Sequence, residues 1–209
     1  MKLCYVTDRK ALPGTPGEQI RLLLEKIERT AHAGVDWIQI REKDLDARRL
    51  AALVREAKNR AGATCRILVN DRLDVALAAG ADGVHLGESG LPVAEVRRYL
   101  QEHNKGRQFL LGVSTHAVTS VQEAQANGAD YAIFGPVFAT PSKLQYGPPL
   151  GLRDLAAGCT VAAIPVFAIG GITLENAREC VAAGAAGVAA IRLFQDSGAT
   201  DVVNTLRSK

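Results

Sequence analysis

Ala79-Gly80-Ala81-Asp82-Gly83-Val84-His85-Leu86-Gly87 runs from the end of an amphipathic stretch through a glycine into a short apolar run, and its first four residues recur. Ala33-Gly34-Val35-Asp36, Asn127-Gly128-Ala129-Asp130 and Ala183-Gly184-Ala185-Ala186 stand in the same place, each just before another run rich in Val, Ile, Leu or Ala. Glycine there suits a left-handed helix C-cap that turns the chain into a strand, because without a Cβ a positive φ carries no steric penalty.

Extending the reading outward from these caps gives a βα alternation along the whole chain. Strands are predicted at Leu3–Asp8, Trp37–Glu42, Arg66–Asp71, Gly83–Gly87, Phe109–Ser114, Tyr131–Val137, Pro165–Gly170 and Gly187–Arg192. Helices are predicted at Glu18–Ala33, Asp46–Ala61, Leu73–Ala79, Pro92–His103, Val118–Asn127, Leu152–Ala157, Leu174–Ala183 and Thr200–Leu206. Eight units of about 26 residues match a small (β/α)8 TIM barrel, an α/β architecture, over residues 1–209 as one domain; an open doubly wound sheet is the alternative. The recurring cap and the absence of a linker or low-complexity segment favour the closed barrel.

Composition narrows the function classes. The 209 residues are 47% hydrophobic and 22% charged, which excludes disorder, collagen-like repeats and coiled coils. Lys and Arg number 25 against 22 Asp and Glu, and the net charge of +3 is too small and dispersed to imply nucleic acid or a membrane surface. No apolar stretch approaches the roughly 20 residues that cross a bilayer. The start, Met1 to Asp8, meets charge too soon for a signal peptide, so a cytoplasmic location is expected. Cys4, Cys65, Cys159 and Cys180 lack metal or disulfide spacing and read as small reduced hydrophobes, and the four histidines form no zinc-type pair. A homo-oligomer stays open, since helix faces that pack on a barrel and on a partner look alike.

In a parallel barrel the loops after the strand C-termini build the binding site. Thr7-Asp8-Arg9 follows the first predicted strand, Gln39-Ile40-Arg41-Glu42-Lys43 closes the second, Asn70-Asp71-Arg72 the third and Ser114-Thr115-His116 the fifth. The sixth runs into Gly135–Lys143, the seventh into Gly170-Gly171 and the eighth into Ile191-Arg192. Alternation directs Gln39, Arg41 and Lys43 into the mouth, with Ile38 and Ile40 toward the helices. Two cations placed so need either carboxylates, such as Glu42, Asp8 or Asp71, or an anionic ligand. Lys143 and the glycine turn at 170–171 favour the anion, because amides at a helix start capped by Thr173 can converge on a phosphate. Asn70 and Asp71 offer oxygen ligands to Mg²⁺, or Asp71 caps the next helix. His85, inside a strand, reads as a hydrogen-bonded barrel-lining residue, whereas His116, past a strand end, is the acid/base candidate. Tyr146–Gly151 suits a lid or an ordinary βα connection.

Taken in order, Tyr5–Asp8, Gln39–Lys43, Asn70–Arg72, Ala81–Gly87, Gly112–His116, Gly135–Lys143 and Ile169–Ile172 resemble the thiamine phosphate synthase and thiazole tautomerase (TenI-like) superfamily of small barrels. The resemblance covers nearly the whole chain. For the synthase branch it implies that an aminopyrimidine methyl diphosphate and a thiazole phosphate join, giving thiamine phosphate and pyrophosphate. Gln39, Arg41, Lys43, Asn70, Ser114 and Lys143 are then the implied pyrimidine diphosphate residues, with Asp71 the Mg²⁺ ligand and Glu42 a further substrate-binding candidate. Thr140, Pro141, Ser142, Gly171, Ile191 and Arg192 would surround the thiazole phosphate, and Gly170 is a further substrate-binding candidate. Arg41, Lys43 and Lys143 would stabilise the departing pyrophosphate, which suits a site rich in cations without a nucleophile.

Two departures stand out. Synthases usually carry a second metal-binding Asp after the fourth strand, where this chain reads Gly87-Glu88-Ser89-Gly90 and places Gly90, leaving Glu88 as a substitute. Arg192 replaces a usual Ser. Both lean toward the tautomerase branch, which isomerises a thiazole carboxylate phosphate without Mg²⁺ and uses a His in the register of His116. The retained Gln39, Arg41, Lys43, Asn70, Asp71 and Lys143 favour the synthase, and a non-catalytic phosphate-ligand sensor is a third alternative.

Overall fold

Eight parallel strands close into a barrel in sequence order, each pairing with the next and β8 pairing back onto β1. The computed structural model describes residues 1–104, 106, 108–140, 148–196 and 198–208. The strands are β1 (Lys2–Val6), β2 (Trp37–Ile40), β3 (Arg66–Asn70), β4 (Gly83–Leu86), β5 (Leu110–Thr115), β6 (Tyr131–Phe134), β7 (Val166–Ile169) and β8 (Gly187–Ala190). The helices around them are α1 (Pro16–His32), α2 (Ala47–Ala61), α3 (Leu73–Ala78), α4 (Val93–His103), α5 (Val118–Ala126), α6 (Gly151–Val161), α7 (Ala177–Ala182), α8 (Arg192–Gln195) and α9 (Ala199–Arg207). Among the described residues no helix is long and apolar enough to cross a membrane.

The predicted elements are all present, with shifted ends. β2, β6 and β8 stop short of the predicted Glu42, Val137 and Arg192, because the mouth segments leave the ladder for turns and side-chain bonds. Arg192 starts the one-turn helix α8, which sequence reading assigned to a strand end. Helix starts follow ordinary chemistry: Thr15 and Glu18 form a capping box before α1, and Asp46 Oδ1 accepts the Arg49 amide at 2.9 Å before α2.

The recurring cap has the expected geometry, with Gly34, Gly80, Gly128 and Gly184 at φ values of 102°, 73°, 88° and 102°. Its Asp has a role that sequence reading missed. Asp36, Asp82 and Asp130 each pair twice with the preceding odd-numbered strand, donating a backbone N–H to the carbonyl of Leu3, Ile67 or Leu111 and accepting that residue's N–H on the carboxylate. In the fourth copy Ala186 keeps only the backbone bond, to Val166 O. These pairs clip neighbouring strands together at their N-terminal ends, where barrel residues serve stability.

Inside, the Trp37 ring lies 4.7 Å, centroid to centroid, from both Tyr131 and Phe167 and tilted against each, and Cys4, Val6, Leu68, Ile133 and Ala189 complete this filling. Two residues further along the same strand faces come Gln39, Asn70, His85 and Ser114, so the interior turns from apolar to polar toward the mouth. Cys4, Cys65 and Cys180 are buried and all four cysteines are free thiols; burial pushes Cys65 up to about 12 and Cys180 up to about 11.

Candidate functional site

The loop after β2 separates its charges by side. Glu42, 4% exposed, accepts from Thr7 Oγ1 at 2.7 Å, from the Arg9 amide at 3.1 Å and from Arg9 Nη1 at 3.0 Å. Asp44 binds the same guanidinium through both oxygens, at 2.6 and 2.7 Å. Arg9 holds the Asp44 carboxyl well below the usual range, first through these hydrogen bonds, and is itself raised by Asp44 above all. The alternative in which Glu42, Asp8 or Asp71 neutralises Arg41 and Lys43 is not what forms; Glu42 and Asp44 pair with Arg9 instead. Arg41, half-buried with its amide on Thr7 Oγ1 at 2.9 Å, and exposed Lys43 form no ion pair with a described carboxylate. Glu42 is turned to Thr7 and Arg9, and both its oxygens are engaged there.

A second chain of bonds crosses from β2 to β4. Gln39 Nε2 donates to Asn70 Oδ1 at 2.8 Å, Asn70 Nδ2 donates to Asp71 Oδ2 at 2.7 Å, and the Gly87 amide donates to Asp71 Oδ1 at 2.6 Å. Asp71 has φ 59°, the one positive value at a described residue other than glycine, which turns its carboxylate across the mouth instead of along the next helix. Gln39 Oε1, in a side chain 3% exposed overall, is buried with no donor among the described residues. An orphaned buried acceptor is uncommon.

The two histidines separate as the sequence suggested. His85 is buried between Tyr131 and Ser114, and desolvation pushes it down from 6.5 to about 4, so it stays neutral. His116 sits on the rim with Nδ1 2.8 Å from Glu88 Oε2, whose other oxygen accepts from Ser120 Oγ at 3.1 Å. Glu88 therefore faces away from Asp71 and does not take the metal-ligand place considered for it. A Cβ on Gly90 would lie 3.3 Å from Asp71 Oδ1, so the position lacking a side chain is beside that carboxylate.

Across the mouth, Gly170 and Gly171 adopt φ 96° and 62°, and a Cβ on either would strike the loop after β6. Phe138 N bonds Gly170 O at 3.0 Å, and Asn176 Nδ2 bonds Gly171 O at 2.9 Å. Both carbonyls are thereby held, and the Gly171 and Ile172 amides have no acceptor among the described residues. Thr173 Oγ1 accepts from Asn176 N at 3.4 Å, a capping contact one turn ahead of α7. Arg192 is exposed beyond Ile191 with no described ion-pair partner. Thr140 ends the described part of the β6 loop; Pro141, Ser142 and Lys143, with Tyr146 and Gly147 of the expected lid, lie outside the described residues.

A family model described as thiamine monophosphate synthase matches residues 3–194. The chain belongs to the thiamine monophosphate synthase family. It is 50% identical over 192 residues to a putative thiamine-phosphate synthase of Geobacter sulfurreducens, covering 90% of this chain and 84% of that one. It is 46% identical over 181 residues to a thiamine-phosphate synthase of Methanoculleus marisnigri, covering 85% and 82%. Among solved structures, a thiamine phosphate pyrophosphorylase from Pyrococcus furiosus superposes with a TM-score of 0.83 at 29% identity, over 99% of this chain and 93% of that one. The mouth combines a polar chain ending on Asp71, two cations free of described carboxylates and a glycine turn whose amides have no acceptor among the described residues.

Proposed function

We propose that this protein condenses an aminopyrimidine methyl diphosphate with a thiazole phosphate, giving thiamine phosphate and pyrophosphate. The observation that carries this reading is the sorting of charge after β2: Arg9 takes both Glu42 and Asp44, so Arg41 and Lys43 are left for an anion. In the reaction the bond between the pyrimidine methylene carbon and the diphosphate oxygen breaks, and its electron pair leaves with pyrophosphate. The thiazole nitrogen lone pair then forms the new carbon–nitrogen bond. Arg41, Lys43 and Lys143 hold the leaving group's charge, Ser114 and Asn70 position it, and the orphaned Gln39 Oε1 accepts a pyrimidine N–H. Thr140, Pro141, Ser142, Gly170, Gly171, Ile191 and Arg192 receive the thiazole phosphate.

Asp71 is the one protein carboxylate proposed to hold Mg²⁺ here. No group of three or more His, Cys, Asp or Glu suited to a metal occurs among the described residues. Asp71 is held from both sides and keeps further lone pairs, so it would hold Mg²⁺, with diphosphate and water oxygens free to complete the set. When bound, Mg²⁺ neutralises charge on the leaving pyrophosphate.

The test is turnover of purified protein with both substrates, with and without Mg²⁺, following thiamine phosphate and pyrophosphate together. Stoichiometric, Mg²⁺-dependent formation supports the reading; no product beside an active control synthase refutes it. The His116–Glu88 pair favours a second reading, thiazole tautomerase, in which His116 moves the proton. Isomerisation of a thiazole carboxylate phosphate without Mg²⁺ would establish that reading instead.

A further inference from the structure

His85, Gly112 and Tyr131 lie side by side on β4, β5 and β6, because His85 is in register with Gly112 and Gly112 with Tyr131. A Cβ on Gly112 would overlap the Tyr131 ring and hydroxyl, so the absence of a side chain there lets the phenol cross β5. Its hydroxyl meets His85 Nδ1 at 3.2 Å, and His85 Nε2 meets Ser114 Oγ at 2.9 Å. Tyr131 and His85 are 0% and 2% exposed, whereas Ser114 is half-buried and opens to the mouth.

The proton order along this line follows from elimination. The two ring nitrogens of His85 meet two hydroxyls and no carboxylate, contacts that a neutral ring satisfies with one N–H and one lone pair. Tyr131 has no other acceptor among the described residues, and a buried O–H left unmet carries its full desolvation penalty. Tyr131 therefore donates to Nδ1, which places the ring proton on Nε2 and makes Nε2–H donate to Ser114 Oγ. The reverse order would strand the phenol proton in the barrel interior.

We propose that Tyr131, His85 and Ser114 form a one-way hydrogen-bond relay that fixes the Ser114 O–H as a donor into the barrel mouth, making Tyr131 and His85 positioning residues for the anionic ligand. The identity of that ligand as a diphosphate rests on the synthase reading; the direction of the relay does not. A serine free to rotate must turn its proton toward an anion as the anion binds, and the relay sets that orientation beforehand.

The first measurement is long-range proton–nitrogen NMR of the histidine side chains near neutral pH, using His85→Gln to assign the signal. A protonated Nε2 and bare Nδ1 at His85 are expected; the opposite tautomer or a doubly protonated ring overturns the proposal. The second is a double-mutant cycle read as the dissociation constant for inorganic pyrophosphate with Mg²⁺. Tyr131→Phe is expected to weaken binding about fivefold in the otherwise native protein and to have no effect beside Ser114→Ala. Equal losses in both backgrounds, or none in either, overturn the relay. Should the native protein bind no pyrophosphate, the tautomer alone decides the relay, and turnover with both substrates decides the synthase reading.

Discussion

At the N-terminal end of the barrel Asp36, Asp82 and Asp130 each hold a neighbouring strand's amide and also meet a base, Lys2 and Arg207, Lys58, and Arg97 respectively. At the C-terminal end Arg41, Lys43 and Arg192 meet no carboxylate among the described residues, and Gln39 Oε1 has no donor. The same residue classes thus do opposite work at the two ends. Below, charge is consumed within the protein and adds to stability; above, it is left unspent, which favours an anion entering the mouth. The Arg9 cluster lies between these regimes, because it occupies Glu42 and Asp44 and leaves Arg41 and Lys43 without an ion-pair partner among the described residues.

The sharpest way to break this contrast is Arg9→Met. Glu42, whose side chain is 2% exposed, would be left buried without a counter-charge. A loss of about 3–5 kcal/mol in unfolding free energy is expected from denaturant titration. A loss below about 1 kcal/mol would mean that the network is not structural. Next in size is Arg41→Ala, expected to lower kcat/KM for the pyrimidine diphosphate about a hundredfold, with an unchanged unfolding midpoint. A fall in stability without a fall in rate would place Arg41 with the structural charges.

Asp130→Ala should show the converse. It removes the acceptor of the Leu111 amide and of Arg97, for an expected loss of about 2 kcal/mol in stability with KM unchanged. His85 gives a smaller effect through pH. Its folded-state value is lowered from 6.5 to about 4, so below about 6.5 the unfolded chain takes up a proton that the folded chain refuses. Stability relative to His85→Gln should therefore fall as pH drops through that window and level off below it, as followed by urea midpoints. The smallest effect expected is His116→Ala, which should leave condensation within about threefold of native because the ring is on the rim and bonded to Glu88. A larger loss would move His116 into the reaction.

Much of the site was legible because strand alternation and the C-terminal rule of barrels act locally on residue type. Gln39, Asn70, His85 and Ser114 all fall on the interior face that a period of two assigns them. The direction of each carboxylate was not legible. Glu42 and Asp44 are sequence neighbours of Lys43, yet both turn to Arg9 on the loop after β1, a choice made by the β1–β2 register. Glu88 likewise reaches His116 across the β4 and β5 loops instead of Asp71.

The order of apolar runs, the recurring glycine cap and the polar strand ends are one-dimensional signals, and they alone determined the eight-fold barrel and the end at which its chemistry lies. Which charges cancel, which oxygen is orphaned at Gln39, and which way protons run from Tyr131 to Ser114 depend on atoms far apart in the chain meeting within about 3 Å. Hydrogen bonds and ion pairs are decided at that range, so only the closed barrel, which brings β1 beside β2 and Tyr131 across Gly112, could settle them.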